Sequence, residues 1–173
     1  MNTDKILELA AYTLPALITG GTAFILLQKF FNNEENKRRF ELLKENQKQS
    51  LPIRLQAYER LVLFLERINP VQLLLRVPGT GLDPQSYATL LVHSIQTEYE
   101  HNITQQIYVS EEAWNTVLKA KNGIIVLIRN KSITEGITNA DEMRQAILTE
   151  LMESDSVSDI AIAFIKEELK KVF

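Results

Sequence analysis

From Leu9 to Gln28 the chain carries no charged residue (LAAYTLPALITGGTAFILLQ), and a basic cluster of Lys29, Lys37, Arg38, Arg39, Lys44 and Lys48 follows it. A helix rises about 1.5 Å per residue, so a run of this length covers the roughly 30 Å hydrocarbon layer of a bilayer. The pattern predicts a membrane-spanning helix within an anchor over residues 1–31. A cleaved signal peptide and a buried core helix compete with this reading. Against the first, the start carries Asp4, Lys5 and Glu8, and no small-x-small cleavage site follows the run. Ala16, Gly20 and Ala23 recur at helical spacing, which lets two such helices approach and suggests a homo-oligomer, although small residues are common in any membrane helix.

Residues 32–50 (NNEENKRRFELLKENQKQS) are polar, rich in helix formers and free of proline, which predicts a solvated helical stalk. From Pro52 to Ile68 the apolar residues return with a 3.6-residue period. Ile53, Ala57, Tyr58, Leu61, Val62, Phe64, Leu65 and Ile68 fill a broad face, expected at the centre of a helical bundle. Leu63 points out among the charges of the opposite face.

Asn69-Pro70 ends that helix, and the turn residues of PGTGLDP separate a short apolar segment from a helix over Pro84 to about Tyr99. Its inward residues are Tyr87, Leu90, Leu91, Ile95 and Tyr99. Residues 102–109 read as a connector or a short extended piece. Ser110 with Glu111 and Glu112 is a helix start, a capping hydroxyl followed by acids in the first turn. The helix after it carries Ala113, Trp114, Val117, Leu118, Ile124, Ile125 and Ile128 on one face. Gly123 and the run IIVLI leave a strand possible there, and the continuous face favours helix. A helix from about Thr138 turns Met143, Ile147, Leu148 and Leu151 inward, and a last one from about Ser156 buries Ile160, Ala163, Phe164 and Leu169. The fold class is all-α: an amino-terminal transmembrane helix, a helical stalk and a small helical bundle over 51–173.

Charge orients this arrangement. Residues 29–50 carry 6 basic and 4 acidic residues, whereas residues 51–173 carry 12 basic and 16 acidic, a net of −4. Lys and Arg flanking a span mark its cytoplasmic side. The carboxyl-terminal domain is therefore expected in the cytoplasm, behind an inner-membrane anchor with its amino terminus outside. Lys29, Lys37, Arg38 and Arg39 would meet anionic lipid headgroups. The acidic balance of the domain argues against nucleic acid. There is no cysteine, which removes thiolate catalysis, disulfides and cysteine-held metals. With the domain in the cytoplasm, the Asn102-Ile103-Thr104 sequon is read as chance.

Little in the pattern points to catalysis. Pro78-Gly79-Thr80-Gly81 lacks the remaining residues of a nucleotide-binding motif and reads as a turn. His93 and His101, eight apart, cannot grip one ion, so no metal and no cofactor are expected. Glu98 falls among the apolar residues of its helix, and Arg54 does so on its own helix. A carboxylate taken from water needs a partner, so an ion pair of Glu98 with Arg54 or Arg76 is expected. The alternative is a perturbed acid in an enzyme pocket with His101 and Gln105. Glu59, Arg60, Leu63, Glu66 and Arg67 on the polar helix face, with Glu98, His101, Gln105 and Gln106 near the connector, make up a candidate partner-binding surface.

Two stretches, Leu51–Arg76 (LPIRLQAYERLVLFLERINPVQLLLR) and Glu98–Trp114 (EYEHNITQQIYVSEEAW), together resemble an uncharacterised bacterial family of short proteins. That resemblance implies an amino-terminal anchor and a helical cytoplasmic domain, and it supplies no catalytic residues. The expected role is an adaptor or assembly subunit that presents a protein-binding domain to another membrane or cytoplasmic protein. The alternatives are an enzyme built around Glu98 and His101, or a sensor of anionic lipid through the basic stalk.

Overall fold

A computed structural model describes residues 3–153 and 156–172, apart from the side chains at 3–12, 14, 16, 46, 47, 171 and 172. The chain is all-helical: α1 (Thr3–Ile68), α2 (Pro70–Arg76), α3 (Pro84–Asn102), a 3₁₀ turn (Ile103–Ile107), α4 (Glu111–Ser132), α5 (Ala140–Glu153) and α6 (Val157–Val172). Among the described residues there is no strand, so the 123–129 ambiguity resolves as helix. The 102–109 connector is the 3₁₀ turn and its flanks rather than an extended piece.

Contacts divide the chain into two units, Met1–Leu51 and Pro52–Phe173. Pro15 and Pro52 both fall inside α1, so Pro52 does not open a helix of its own. An internal proline removes one backbone hydrogen bond, and around Pro52 good helix formers such as Lys48, Gln49, Arg54, Leu55 and Gln56 continue the helix on either side. Among the described residues no helix is long and apolar enough to cross a membrane. Within the run Leu9–Gln28 the side chains at 9–12, 14 and 16, Ala16 of the small-residue stripe among them, lie outside the described residues.

In the first unit, every side chain described from Leu17 to Phe31 is exposed, including Leu17, Ile18, Phe24, Leu26, Leu27, Phe30 and Phe31. Lys29, Lys37, Arg38 and Arg39 are exposed as well. Arg39 pairs one turn back with Glu35 at 3.0 Å.

The second unit is a packed bundle. Within it α4 packs against α3, α5 and α6. Small residues let α4 approach its neighbours: Ala113 and Ala120 are buried on it, and at Gly123 a methyl group would only just touch Val157 of α6, at 3.5 Å. The 52–68 segment buries Ala57, Tyr58, Leu61, Phe64, Leu65 and Ile68 in the same core, as its broad apolar face predicts.

Helix starts follow the sequence signals. The side chains of Asn69, Asp83, Ser110 and Asn139 accept from the backbone N–H groups of Val71, Ser86, Ala113 and Glu142 at 2.9–3.1 Å. Each satisfies a donor that the first turn leaves without an intrahelical partner. Glu142 closes the reciprocal cap, accepting from the Thr138 N–H and hydroxyl at 2.7 and 2.9 Å. Asn69 also ties the α1–α2 corner to α6, donating to the Ser158 hydroxyl at 3.1 Å.

Several inward assignments are corrected. On α6 the buried residues are Ser158, Ala161, Ile162 and Ile165, while Ile160, Ala163 and Phe164 are exposed. Leu148, Leu90 and Ile53 are likewise exposed. Between α2 and α3, Leu82 N–H bonds to the Gly79 carbonyl at 3.0 Å, and Gly81 takes φ 76°, which glycine adopts without strain.

Candidate functional site

The polar face of the 52–68 segment borders an open groove of about 380 Å³ against α3. Gln56, Glu59, Arg60, Leu63, Phe64 and Arg67 line it from α1, and Glu98, His101 and Asn102 from α3. Positions 56, 60, 63 and 67 fall at i, i+4, i+7 and i+11, so one helix stripe supplies Gln56, Arg60, Leu63 and Arg67. Phe64 is buried beneath them, its ring 6.3 Å from that of Tyr99. Leu63 stays 56% exposed between the two arginines.

Glu98 is the electrostatic anchor of the groove. Only 15% of its side chain is accessible, and Oε1 accepts from Arg67 Nε at 2.8 Å and meets Arg67 Nη2 at 2.6 Å. Arg76 Nη2 stands 3.8 Å from the same oxygen. Two guanidinium groups thus neutralise one largely buried carboxylate, which a partly desolvated anion requires. The ion pairs among the described residues leave Arg60 out.

The expected Arg54–Glu98 pair does not form. Arg54 lies 13 residues before Arg67 on α1, about 20 Å along the axis, beyond the reach of Glu98. Its Nε donates instead to the Tyr108 carbonyl at 3.3 Å, fastening the end of the 3₁₀ turn to α1. Nearby, the buried Tyr58 hydroxyl donates to Glu168 of α6 and accepts from Ser110 N–H at 3.4 Å. Burial, and then the bond to Glu168, push the Tyr58 hydroxyl above its ordinary pKa. Glu168 Oε2 is buried with no hydrogen-bond partner among the described residues.

Of the candidate partner-binding residues, Glu59, Arg60, Leu63, Arg67, Glu98 and His101 share the groove. Glu66 lies in an adjoining depression with Arg67, Gln72, Leu75 and Arg76. Gln105 and Gln106 sit on the 3₁₀ turn and do not line the groove. Asn102 and Gln56 belong to the polar connector and polar helix face that the pattern marks out, whereas Phe64, on the apolar face, was not anticipated as a lining residue. Among the described residues no cluster of His, Cys, Asp or Glu could hold a metal ion.

A family model described as "Family of unknown function (DUF7935)" matches residues 4–172, and the chain belongs to that family. No curated protein and no solved structure matches it.

Proposed function

We propose that this family member is a membrane-anchored adaptor whose α1–α3 groove receives a segment of another protein. One observation carries the binding part: a leucine left exposed between two arginines, over a buried aromatic floor, with the carboxylate beneath already neutralised. Arginine is enriched at interface hot spots, and the exposed leucine between the two adds apolar surface for a partner to cover. The same pairing favours a structural role for Glu98 over the enzyme alternative, because its carboxylate is engaged by Arg67 and Arg76 within the fold.

Two features support the anchor. The exposed leucines, isoleucines and phenylalanines between Leu17 and Phe31 have no cover of their own. The hydroxyls of Thr19 and Thr22 donate to the carbonyls of Pro15 and Ile18 at 2.9 Å, so these polar side chains present no unmet donor to lipid. The basic residues after the run favour a cytoplasmic location for the second unit.

The test is recovery of the tagged full chain from native membranes in mild detergent, for wild type and for Leu63→Asp/Arg60→Glu. Both sites are exposed, so the variant is expected to fold. A stoichiometric partner held by wild type and lost from the variant supports the groove; a partner retained by the variant rules the groove out. Release of the chain by alkaline carbonate would refute the anchor.

A further inference from the structure

The α1–α3 groove has a basic inner wall and an acidic outer rim, all within the second unit. Successive residues of a helix turn by about 100°, so from the buried Phe64 the α1 surface passes Arg60 at about 40°, Arg67 at about 60° and Leu63 at about 100°. Glu59 and Glu66 follow at about 140° and 160°, on the solvent side of the leucine. Arg67 reaches Glu98 at 2.6 Å, which fixes its side of α1 as the one facing α3. Glu98 is answered a second time by Arg76, at 3.8 Å. Arg60 lies on the same side as Arg67, about 10 Å away along the axis. It is exposed and enters no ion pair among the described residues. The inner wall therefore carries an excess of positive charge beside an exposed leucine.

We infer that the protein segment received by this groove carries a carboxylate side chain for Arg60 next to an apolar side chain for Leu63. The inference rests on the proposed binding role of the groove and names the chemistry of its partner. A guanidinium and a carboxylate pair through two parallel hydrogen bonds, which fixes geometry as well as charge. An acid entering here meets no bare carboxylate, because Glu98 is engaged by two cations. A basic side chain in the same place would face Arg60 and Arg67 together. Beyond Leu63 the sign reverses, and Glu59 and Glu66 disfavour a second acid there. Interfaces set positive surface against negative in this way, which suppresses wrong partners and fixes register.

The probe is a library of random short peptides displayed on phage and selected on the full chain in mild detergent. Parallel selections use Arg60→Gln, Arg60→Lys and Leu63→Asp/Arg60→Glu. Wild type should enrich, several-fold over the unselected library, peptides that place Asp or Glu beside Leu, Ile or Phe. The enrichment should vanish on Arg60→Gln and persist in part on Arg60→Lys, which keeps the charge but not the planar fork. An acid preference that survives Arg60→Gln unchanged would overturn the inference. Binders that are lost from Leu63→Asp/Arg60→Glu but show no acid preference would defeat the partner chemistry and leave the groove itself standing. Peptides that bind wild type and that double variant alike, or no binders at all, would defeat both.

Discussion

Two glycines in the second unit should respond to the same substitution with opposite signs. A methyl group built on Gly79 would stand 2.6 Å from the Ala140 Cβ and 2.9 Å from two ring carbons of Tyr87. Neither neighbour can retreat easily. The Tyr87 ring is fully buried, and its hydroxyl is fixed to the Val77 carbonyl at 2.8 Å. Ala140 is buried, and its N–H is bonded to the Leu82 carbonyl at 3.2 Å. Overpacking of this kind costs about 1–3 kcal/mol, against which the reduced freedom of the unfolded chain returns about 0.4–1 kcal/mol. Gly79→Ala should therefore lose about 1–2 kcal/mol. At Gly123 the nearest atoms to a new methyl group are Val157 Cγ2 and Cγ1 at 3.5 and 3.7 Å, which is ordinary contact. Gly123 lies inside α4, where alanine is favoured over glycine by about 1 kcal/mol, so Gly123→Ala should stabilise by up to that amount.

Thermal unfolding followed by circular dichroism at 222 nm separates the two. For a unit of this size 1 kcal/mol corresponds to a Tm change of about 4 °C. Gly79→Ala should melt about 4–8 °C below wild type, and Gly123→Ala up to about 4 °C above it. A Gly79→Ala protein as stable as wild type would mean that the α2–α3 turn is not packed against Tyr87 and Ala140 as described.

Three further outcomes are expected. Tyr58 and Tyr87 have raised pKa values because burial disfavours the tyrosinate. Their contribution is complete below pH 10 and lost as pH rises through the folded values, because the unfolded chain releases its protons first; urea midpoints should fall above pH 10, and less steeply in Tyr58→Phe. Glu168→Ala removes the acceptor of the buried Tyr58 hydroxyl and should cost about 1–3 kcal/mol in urea unfolding. Glu168→Gln keeps an acceptor and should stay within about 1 kcal/mol of wild type. The carboxylates of Asp83 and Glu142 are held below their ordinary range, by the Ser86 side chain and by the Thr138 N–H respectively. Their stabilisation is present above the unfolded pKa and lost as pH falls through the folded value, so acid unfolding of Asp83→Asn should show a shallower pH dependence.

The helices and their starts were legible because their causes are local. Asn69, Asp83, Ser110 and Asn139 cap whatever helix follows them, and the face with Trp114, Val117, Ile124 and Ile128 is set by spacing alone. Helix α6 shows where this fails. From Ile160 to Ile165 every residue is apolar, so the period selects no face. The choice belongs to the neighbours. Asn69 at the α1–α2 corner bonds the buried Ser158; Ala161, Ile162 and Ile165 turn inward with it, and Ile160 and Phe164 are left outside.

The groove was half legible for a related reason. Leu63 among charges and Glu98 among apolar residues are each a local anomaly that the sequence exposes, and both lie in the same site. Which cation answers Glu98 depends on how far along α1 the helix α3 crosses, and no local pattern encodes that. Arg54 and Arg76 looked equivalent, Arg67 looked solvated, and the crossing selects Arg67 and Arg76. The two anomalies share a cause. A charge is tolerated on the apolar face of α3 because guanidinium groups reach it from α1 and α2, and α1 supplies Arg67 from the polar face that also carries Leu63. If that coupling is real, Leu63→Asp should disturb partner recovery while leaving stability near wild type, whereas Glu98→Leu should change stability first, since it strands no buried charge but removes the tie between α1 and α3. Loss of stability in Leu63→Asp equal to that in Glu98→Leu would mean that the leucine is packed rather than presented, and the groove would lose its claim to a partner.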